Sequence, residues 1–155
     1  MKILYLTTIM LTLLTSLLSG CTTSAKGPFF QELIAADPAK AIVYVYSHYI
    51  PGLGLIGGYG IKTRGSFVVQ LVDGGYYPFL VNPGEVTIEL EAPVRELIPI
   101  TLHTEAGHSY FIRPHIWMIG PYSKKIELEE RADREIAISE IAPCRLILDP
   151  APLPK

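Results

Sequence analysis

Gly52-Leu53-Gly54-Leu55-Ile56-Gly57 has the spacing of a dinucleotide-binding loop, whose glycines let the backbone approach a pyrophosphate. Asp73 lies about 20 residues on, where the acid that binds a ribose would stand. That chemistry needs a helix N-terminus directly after the glycines, because its free N–H groups and dipole hold the phosphates. Tyr59-Gly60-Ile61-Lys62-Thr63 reads as a strand instead, so the segment is an apolar loop and no cofactor is expected. His103 and His108 flank a four-residue turn and could begin a zinc or copper site, with Glu105 or His115 as a third ligand. Nothing in the pattern requires that ligand; exposed polar strand positions explain both histidines, and no metal is expected. Ser47-His48 and His108-Ser109 are adjacent pairs, and neighbours on a strand point to opposite faces. Neither serine has the glycines of a nucleophile elbow. Glu85, Glu89, Glu91, Glu127 and Glu129 alternate with apolar residues, which is the pattern of a solvated strand face. Five of the nine tyrosines, Tyr44, Tyr46, Tyr76, Tyr77 and Tyr110, fall in strand-like runs where aromatics pack well. A glycan-binding platform is the sharper alternative for them. No catalytic residue is assigned, and the chain reads as a non-enzyme.

The two cysteines carry more information. Cys21 ends Leu18-Ser19-Gly20-Cys21, which follows Lys2 and an apolar run from Ile3 to Leu18. This is the layout of a secretory signal peptide. The run is short for a membrane span, which takes roughly 20 apolar residues, and Thr7, Thr8, Thr12 and Thr15 dilute it. The tetrad resembles the lipobox of bacterial lipoproteins. That resemblance implies cleavage between Gly20 and Cys21, with acylation of the cysteine thiol and of the new N-terminus. Each buried methylene contributes about 0.8 kcal/mol, so more than one acyl chain gives stable anchoring. Thr22 in place of an aspartate after the lipidated cysteine implies, by the same resemblance, the periplasmic face of the outer membrane in preference to the inner membrane. Cys144 is then left without a partner in its own chain; a buried thiol that packs as a small hydrophobe is expected, and a mixed disulfide or a dimer link is the alternative.

The chain has 13 basic and 15 acidic residues, net −2, and Lys2 is the only charge in residues 1–20. This balance gives no electrostatic reason to bind nucleic acid or anionic lipid. The organisation reads as a signal peptide at 1–20, a lipidated tether at 21–28, one domain at 29–148 and a Pro-rich tail at 149–155. Phe29 to Ala36 has helical spacing and stops at Asp37-Pro38, and 130–139 could form a second short helix. Between them the period is two. Ile42, Tyr44 and Tyr46 alternate with Ala41, Val43 and Val45, both sets apolar, as in a central strand covered on both faces. Strands follow at 59–63, 66–72, 76–81, 86–91, 98–103, 108–115 and 124–129, and one more is expected at 145–148. Arg64-Gly65, Asp73-Gly74-Gly75, Asn82-Pro83-Gly84 and Glu105-Ala106-Gly107 separate strands, the second as a hairpin turn. Pro78 and Pro99 mark edge strands. The fold class expected is all-β: an antiparallel β-sandwich, immunoglobulin- or transthyretin-like, with one or two short flanking helices after an N-terminal signal helix.

Lys40-Ala41-Ile42-Val43-Tyr44-Val45-Tyr46, then Asp73-Gly74-Gly75-Tyr76-Tyr77 with Asn82-Pro83-Gly84-Glu85-Val86, and then Glu105 to Arg113 resemble successive blocks of one family. It is the bacterial lipoprotein family known as domain of unknown function 2846, and the match covers roughly 40–140. The resemblance implies an envelope β-sandwich and attaches no catalytic residues. The family commonly has Arg-Pro after the first strand, whereas this chain has Ser47-His48-Tyr49-Ile50-Pro51. The Pro-Gly turn also resembles PEGA-type envelope domains.

If consecutive strands alternate direction, two apolar connections meet at one end of the sandwich: Leu53, Leu55 and Ile56 in the first, Ile116, Trp117, Met118 and Ile119 in the seventh. Exposed apolar patches mark contacts. The expected function is a non-catalytic protein-interaction or assembly module, held to the membrane by its N-terminal lipid and binding another envelope protein through these residues. A small-ligand or glycan-binding lipoprotein is the alternative; a metal-binding protein or hydrolase has less in its favour.

Overall fold

The computed structural model describes residues 25–33, 37–48, 58–94, 96–120 and 123–149. Residues 1–20, expected to be a signal peptide, the Gly20-Cys21 junction, the run Gly52 to Gly57 with Leu53, Leu55 and Ile56, and the tail beyond Asp149 lie outside them. Among the described residues there are ten strands: β1 (Ala41–Tyr46), β2 (Tyr59–Thr63), β3 (Ser66–Leu71), β4 (Gly75–Val81), β5 (Gly84–Glu91), β6 (Glu96–Ile98), β7 (Ile100–Thr104), β8 (Ser109–Gly120), β9 (Ser123–Glu130) and β10 (Arg145–Leu146). One helix, α1 (Arg134–Ile141), follows β9. The strands form two sheets, one ordered β10-β4-β1-β8-β9-β6 and one ordered β3-β2-β5-β7. The fold is an all-β sandwich with a flanking helix.

The six-stranded sheet is mixed. β1 is antiparallel to β4 but parallel to β8, and β10–β4 and β6–β9 are also parallel pairs. The four-stranded sheet is antiparallel throughout. β1 is central and every residue in it is buried, as its two apolar sets require. Ala41, Val43 and Val45 pack between the sheets with Ile61, Val69, Leu71, Ile88 and Ile126. Ile42, Tyr44 and Tyr46 point the other way, into a second cluster with Tyr76, Phe111, Ala137, Ile141 and Cys144. β5 shows the half-exposed pattern: Val86, Ile88 and Leu90 are buried while Glu85, Glu89 and Glu91 are exposed.

Several connections differ from the sequence reading for one reason: they change sheets. Asp73-Gly74 joins β3 of one sheet to β4 of the other, and Asn82-Pro83 joins β4 to β5 in the opposite sense. Neither is a hairpin. The run read as one strand at 98–103 divides at Pro99, with β6 beside β9 and β7 beside β5. Proline cannot donate to a ladder, so the corner falls where no bond is lost. Pro78 fits its edge placement, because β10 covers only Gly75 and Tyr76 of β4. Arg64-Gly65 is a true two-residue hairpin between Thr63 and Ser66, with φ of 50° and 73°.

Residues 29–33 are not helical; 34–36 lie outside the described residues. Their apolar spacing serves a different purpose. Residues 25–33 form a strap along β10 and across the outer face of the six-stranded sheet. Phe29 bridges Arg145 in antiparallel sense. Gly27 N–H donates to Leu146 O at 3.0 Å, Leu146 N–H to Pro28 O at 2.8 Å and Phe30 N–H to Cys144 O at 3.0 Å. Gly27 is buried, and a Cβ there would stand 2.4 Å from the Leu146 carbonyl oxygen, so only glycine permits this approach. Phe30 meets Tyr44, Tyr76 and Phe111 edge-on, at centroid distances of 5.4, 5.3 and 6.5 Å.

α1 begins four residues later than the start expected at 130, because β9 runs to Glu130. Asp133 caps it, accepting from the N–H groups of Glu135 and Ile136 at 3.0 and 3.1 Å. Ala137 and Ile141 face the sheet.

The Arg64 φ of 50° lies in the left-handed region, where a side chain costs about 1–2 kcal/mol and asparagine is tolerated best after glycine. Arg64→Asn should therefore raise the urea midpoint, and Arg64→Val should lower it. Equal midpoints for the two variants would contradict the turn assignment.

Candidate functional site

β8 is the longest strand, and its second half carries the candidate surface. β1 pairs with β8 only as far as Ile112. From Arg113 onward β8 has β9 as its neighbour, and β6 supports β9 only at Lys125–Glu127. Beyond Trp117↔Lys125 the hairpin is a two-stranded ribbon standing clear of the sheet. Ile116, Trp117, Met118 and Ile119 are thus strand residues and not the loop expected from sequence. The hairpin register places Met118 opposite Lys124 and Gly120 opposite Ser123, with an irregularity between Met118 and Gly120.

A strand apolar on both faces belongs in a core. Here Trp117, Met118 and Ile119 are 50, 55 and 56% exposed, while Ile116 packs on the edge of the core between the sheets. Trp117 stacks on His115 at 4.4 Å, two residues back on the same face. Lys124 and Lys125 lie cross-strand, so the tip joins apolar surface to positive charge. The sequence signal for this hairpin was Gly120-Pro121, a turn pair between two strand-like runs. The run Ile116 to Ile119 hid it, because it does not alternate. The β1–β2 connection leaves β1 at the same end as this tip, because β1 and β8 are parallel. Leu53, Leu55 and Ile56 within it lie outside the described residues.

Behind the tip is a polar network. Glu140 of α1 accepts from Tyr46 Oη at 2.6 Å, Arg131 Nη2 at 2.8 Å, Arg131 Nε at 3.2 Å and Arg113 Nη1 at 3.2 Å. Glu129 accepts from Arg131 Nη1 at 2.8 Å and lies 3.0 Å from His115 Nδ1. Arg113 Nε is buried without a hydrogen-bond partner among the described residues. Burial alone would push the Glu140 carboxyl up, but Arg131 and Tyr46, which donate to it, and the nearby Arg113 outweigh this and hold it below the usual carboxylate range. Burial, and then Glu140 itself, push the Tyr46 phenol upward. Two guanidiniums balancing two carboxylates give a locked structural joint.

The other candidates scatter. His103 is exposed on the four-stranded sheet, and His108 is exposed beside Glu105, with Nδ1 3.8 Å from its carboxylate. The turn at 105–108 joins the two sheets, so these histidines do not face each other across a hairpin. Among the described residues no group of three or more His, Cys, Asp or Glu could hold a metal ion. β2 begins directly after Gly58, so no helix follows the glycine-rich loop. Tyr44, Tyr46 and Tyr76 are buried and form no exposed platform. Cys144 is buried, and burial, then Asp73 and Glu140, push its thiol up to about 12. A thiol so held has little nucleophilic character. Among the described residues no helix is long and apolar enough to cross a membrane. No protein-family model matches the chain, and no curated protein matches it.

Glu140 has a depressed pKa in the folded state, so its contribution to stability is present above the unfolded value near 4.3 and is lost as pH falls through the folded value. Glu140→Gln should cost about 1–3 kcal/mol at pH 7, since it leaves two guanidiniums short of an ionised acceptor. It should cost less as the pH falls below about 4. Chemical denaturation at pH 7 and pH 3 checks this; an equal cost at both would contradict the ionised network.

Proposed function

We propose that the protein is a lipid-anchored, non-catalytic protein-interaction or assembly module of the bacterial cell envelope. Cleavage behind Gly20 and acylation of Cys21 anchor it at the periplasmic face of the outer membrane, as a relative of the lipoprotein family its motifs resemble. Its working surface is the tip of the β8–β9 hairpin. The observation that carries this reading is the exposure of Trp117, Met118 and Ile119 at the far end of β8, where β9 is the one strand that pairs with it among the described residues. Monomeric proteins seldom present contiguous apolar surface without a contact to make, and tryptophan is among the residues most enriched at the centre of protein interfaces. The locked Glu140 network supports the non-catalytic part, because its carboxylates are already committed to guanidinium partners.

Photo-crosslinking in intact cells tests the reading, with a photoreactive residue at Trp117, a second at Leu55, and a control at the exposed Glu89 of β5. A discrete protein adduct at Trp117 that is absent at Glu89 is expected. No adduct at Trp117, or the same adducts at both positions, would contradict it.

A further inference from the structure

Residues 21–28 would form a flexible leash if they followed their small, polar composition. The strap removes most of that freedom. Its hydrogen bonds to β10 begin at Gly27, and Ala25 already packs against the core between the sheets. Only four peptide links separate Cys21 from Ala25, an extended reach of about 14 Å. A lipid on Cys21 therefore holds the domain close to the bilayer and by one particular edge.

The side chains on that edge suit a phospholipid surface. Phe29 is 53% exposed and Leu148 67% exposed. Lys26 is exposed, and the Arg145 guanidinium lies 4.0 Å over the Phe29 ring, with Nη1 on Gly27 O at 3.2 Å. Aromatic and aliphatic groups beside cations are the combination that enters the headgroup layer, the cations meeting phosphate. Of the nearby carboxylates, Glu32 is held by Arg134 at 2.6 Å, and Asp149 ends the described chain.

The strand directions place the hairpin tip elsewhere. The strap is antiparallel to β10, which is parallel to β4; β4 is antiparallel to β1, and β1 is parallel to β8. The strap thus runs in the direction of β8. Register sets the level: Phe29 pairs with Arg145 and Arg145 with Gly75, which lies beside Ser47 at the end of β1 nearer the tip, so the tip is set off from the strap sideways, with β10, β4 and β1 between strap and β8, about 19 Å at the spacing of neighbouring strands.

We infer that the strap edge, formed by Lys26, Phe29, Arg145 and Leu148, rests on the phospholipid surface that carries the Cys21 lipid and holds the hairpin tip, beyond β10, β4 and β1, clear of that membrane. The inference rests on the proposed acylation of Cys21.

The test uses the full mature lipoprotein in vesicles of phosphatidylethanolamine and phosphatidylglycerol, some lipids bearing a nitroxide headgroup. A fluorophore is placed at Leu148→Cys or Met118→Cys; Cys144 is buried and leaves the labelling to the new thiol. Quenching at 148 with none at 118 is expected. Gly27→Val, which cannot dock the strap, should abolish this difference while circular dichroism still shows the folded sandwich. Equal quenching at both sites, stronger quenching at 118, quenching at neither, or a folded Gly27→Val variant that keeps the difference would each overturn the inference. Mass spectrometry of the N-terminal peptide separates the two claims. Without acyl mass on Cys21 the anchoring reading falls and the inference with it; with acyl mass present, a contrary quenching pattern overturns the orientation alone.

Discussion

The outer face of β1 carries two tyrosines whose hydroxyls need partners out of water. An unpaired buried hydroxyl costs about 1–3 kcal/mol by mutational measures, so the elements that cover this face must also bring polar groups. The strap brings one: Leu33 N–H donates to Tyr44 Oη at 2.8 Å. The helix brings the other: Tyr46 Oη donates to Glu140 at 2.6 Å. These two bonds fix which pieces of chain close the six-stranded sheet and where each lies. The inner face has a simpler requirement, met by Ala41, Val43 and Val45 against the four-stranded sheet.

From this follow the two working regions proposed for the molecule. Strap and helix are tied to each other by Glu32 and Arg134, and both cross β1 on the same side. Covering β1 uses up the residues that would otherwise have been a linker, which brings the proposed lipid attachment close to the folded domain. Across the sheet β8 outruns β1, and the Glu140 network secures its base through Arg113 while Glu129 of β9 holds His115. The ribbon beyond that base keeps its apolar side chains in solvent. In the proposed account one edge of the sheet is committed to a membrane and the β8–β9 tip to a partner protein, and the strands between them are the rigid spacer.

Local chemistry made much of the fold legible in the sequence. The doubly apolar run Ala41–Tyr46 implied a central strand, the strict alternation of 85–91 implied a half-exposed one, and Arg64-Gly65 implied a turn; each is present. What local chemistry cannot encode is the destination of a turn. Asp73-Gly74-Gly75 and Asn82-Pro83-Gly84 say that the chain bends, and both bends lead to the other sheet. Phe29 to Leu33 carried a helical period only because Phe30 and its neighbours must reach an aromatic cluster assembled from β1, β4 and β8. Trp117 was legible as an exposed apolar residue, whereas the ribbon that presents it depends on how far β1 extends beside β8.

The central claim is that residues 25–33 belong to the folded domain and are not a leash. Amide hydrogen exchange on the protein tests it most directly, because Gly27, Phe30 and Leu33 each donate a defined hydrogen bond. The account predicts slow exchange at these three amides, lost at Phe30 and Leu33 in a Gly27→Val variant. Exchange at the rate of an unstructured peptide in the native protein would contradict it.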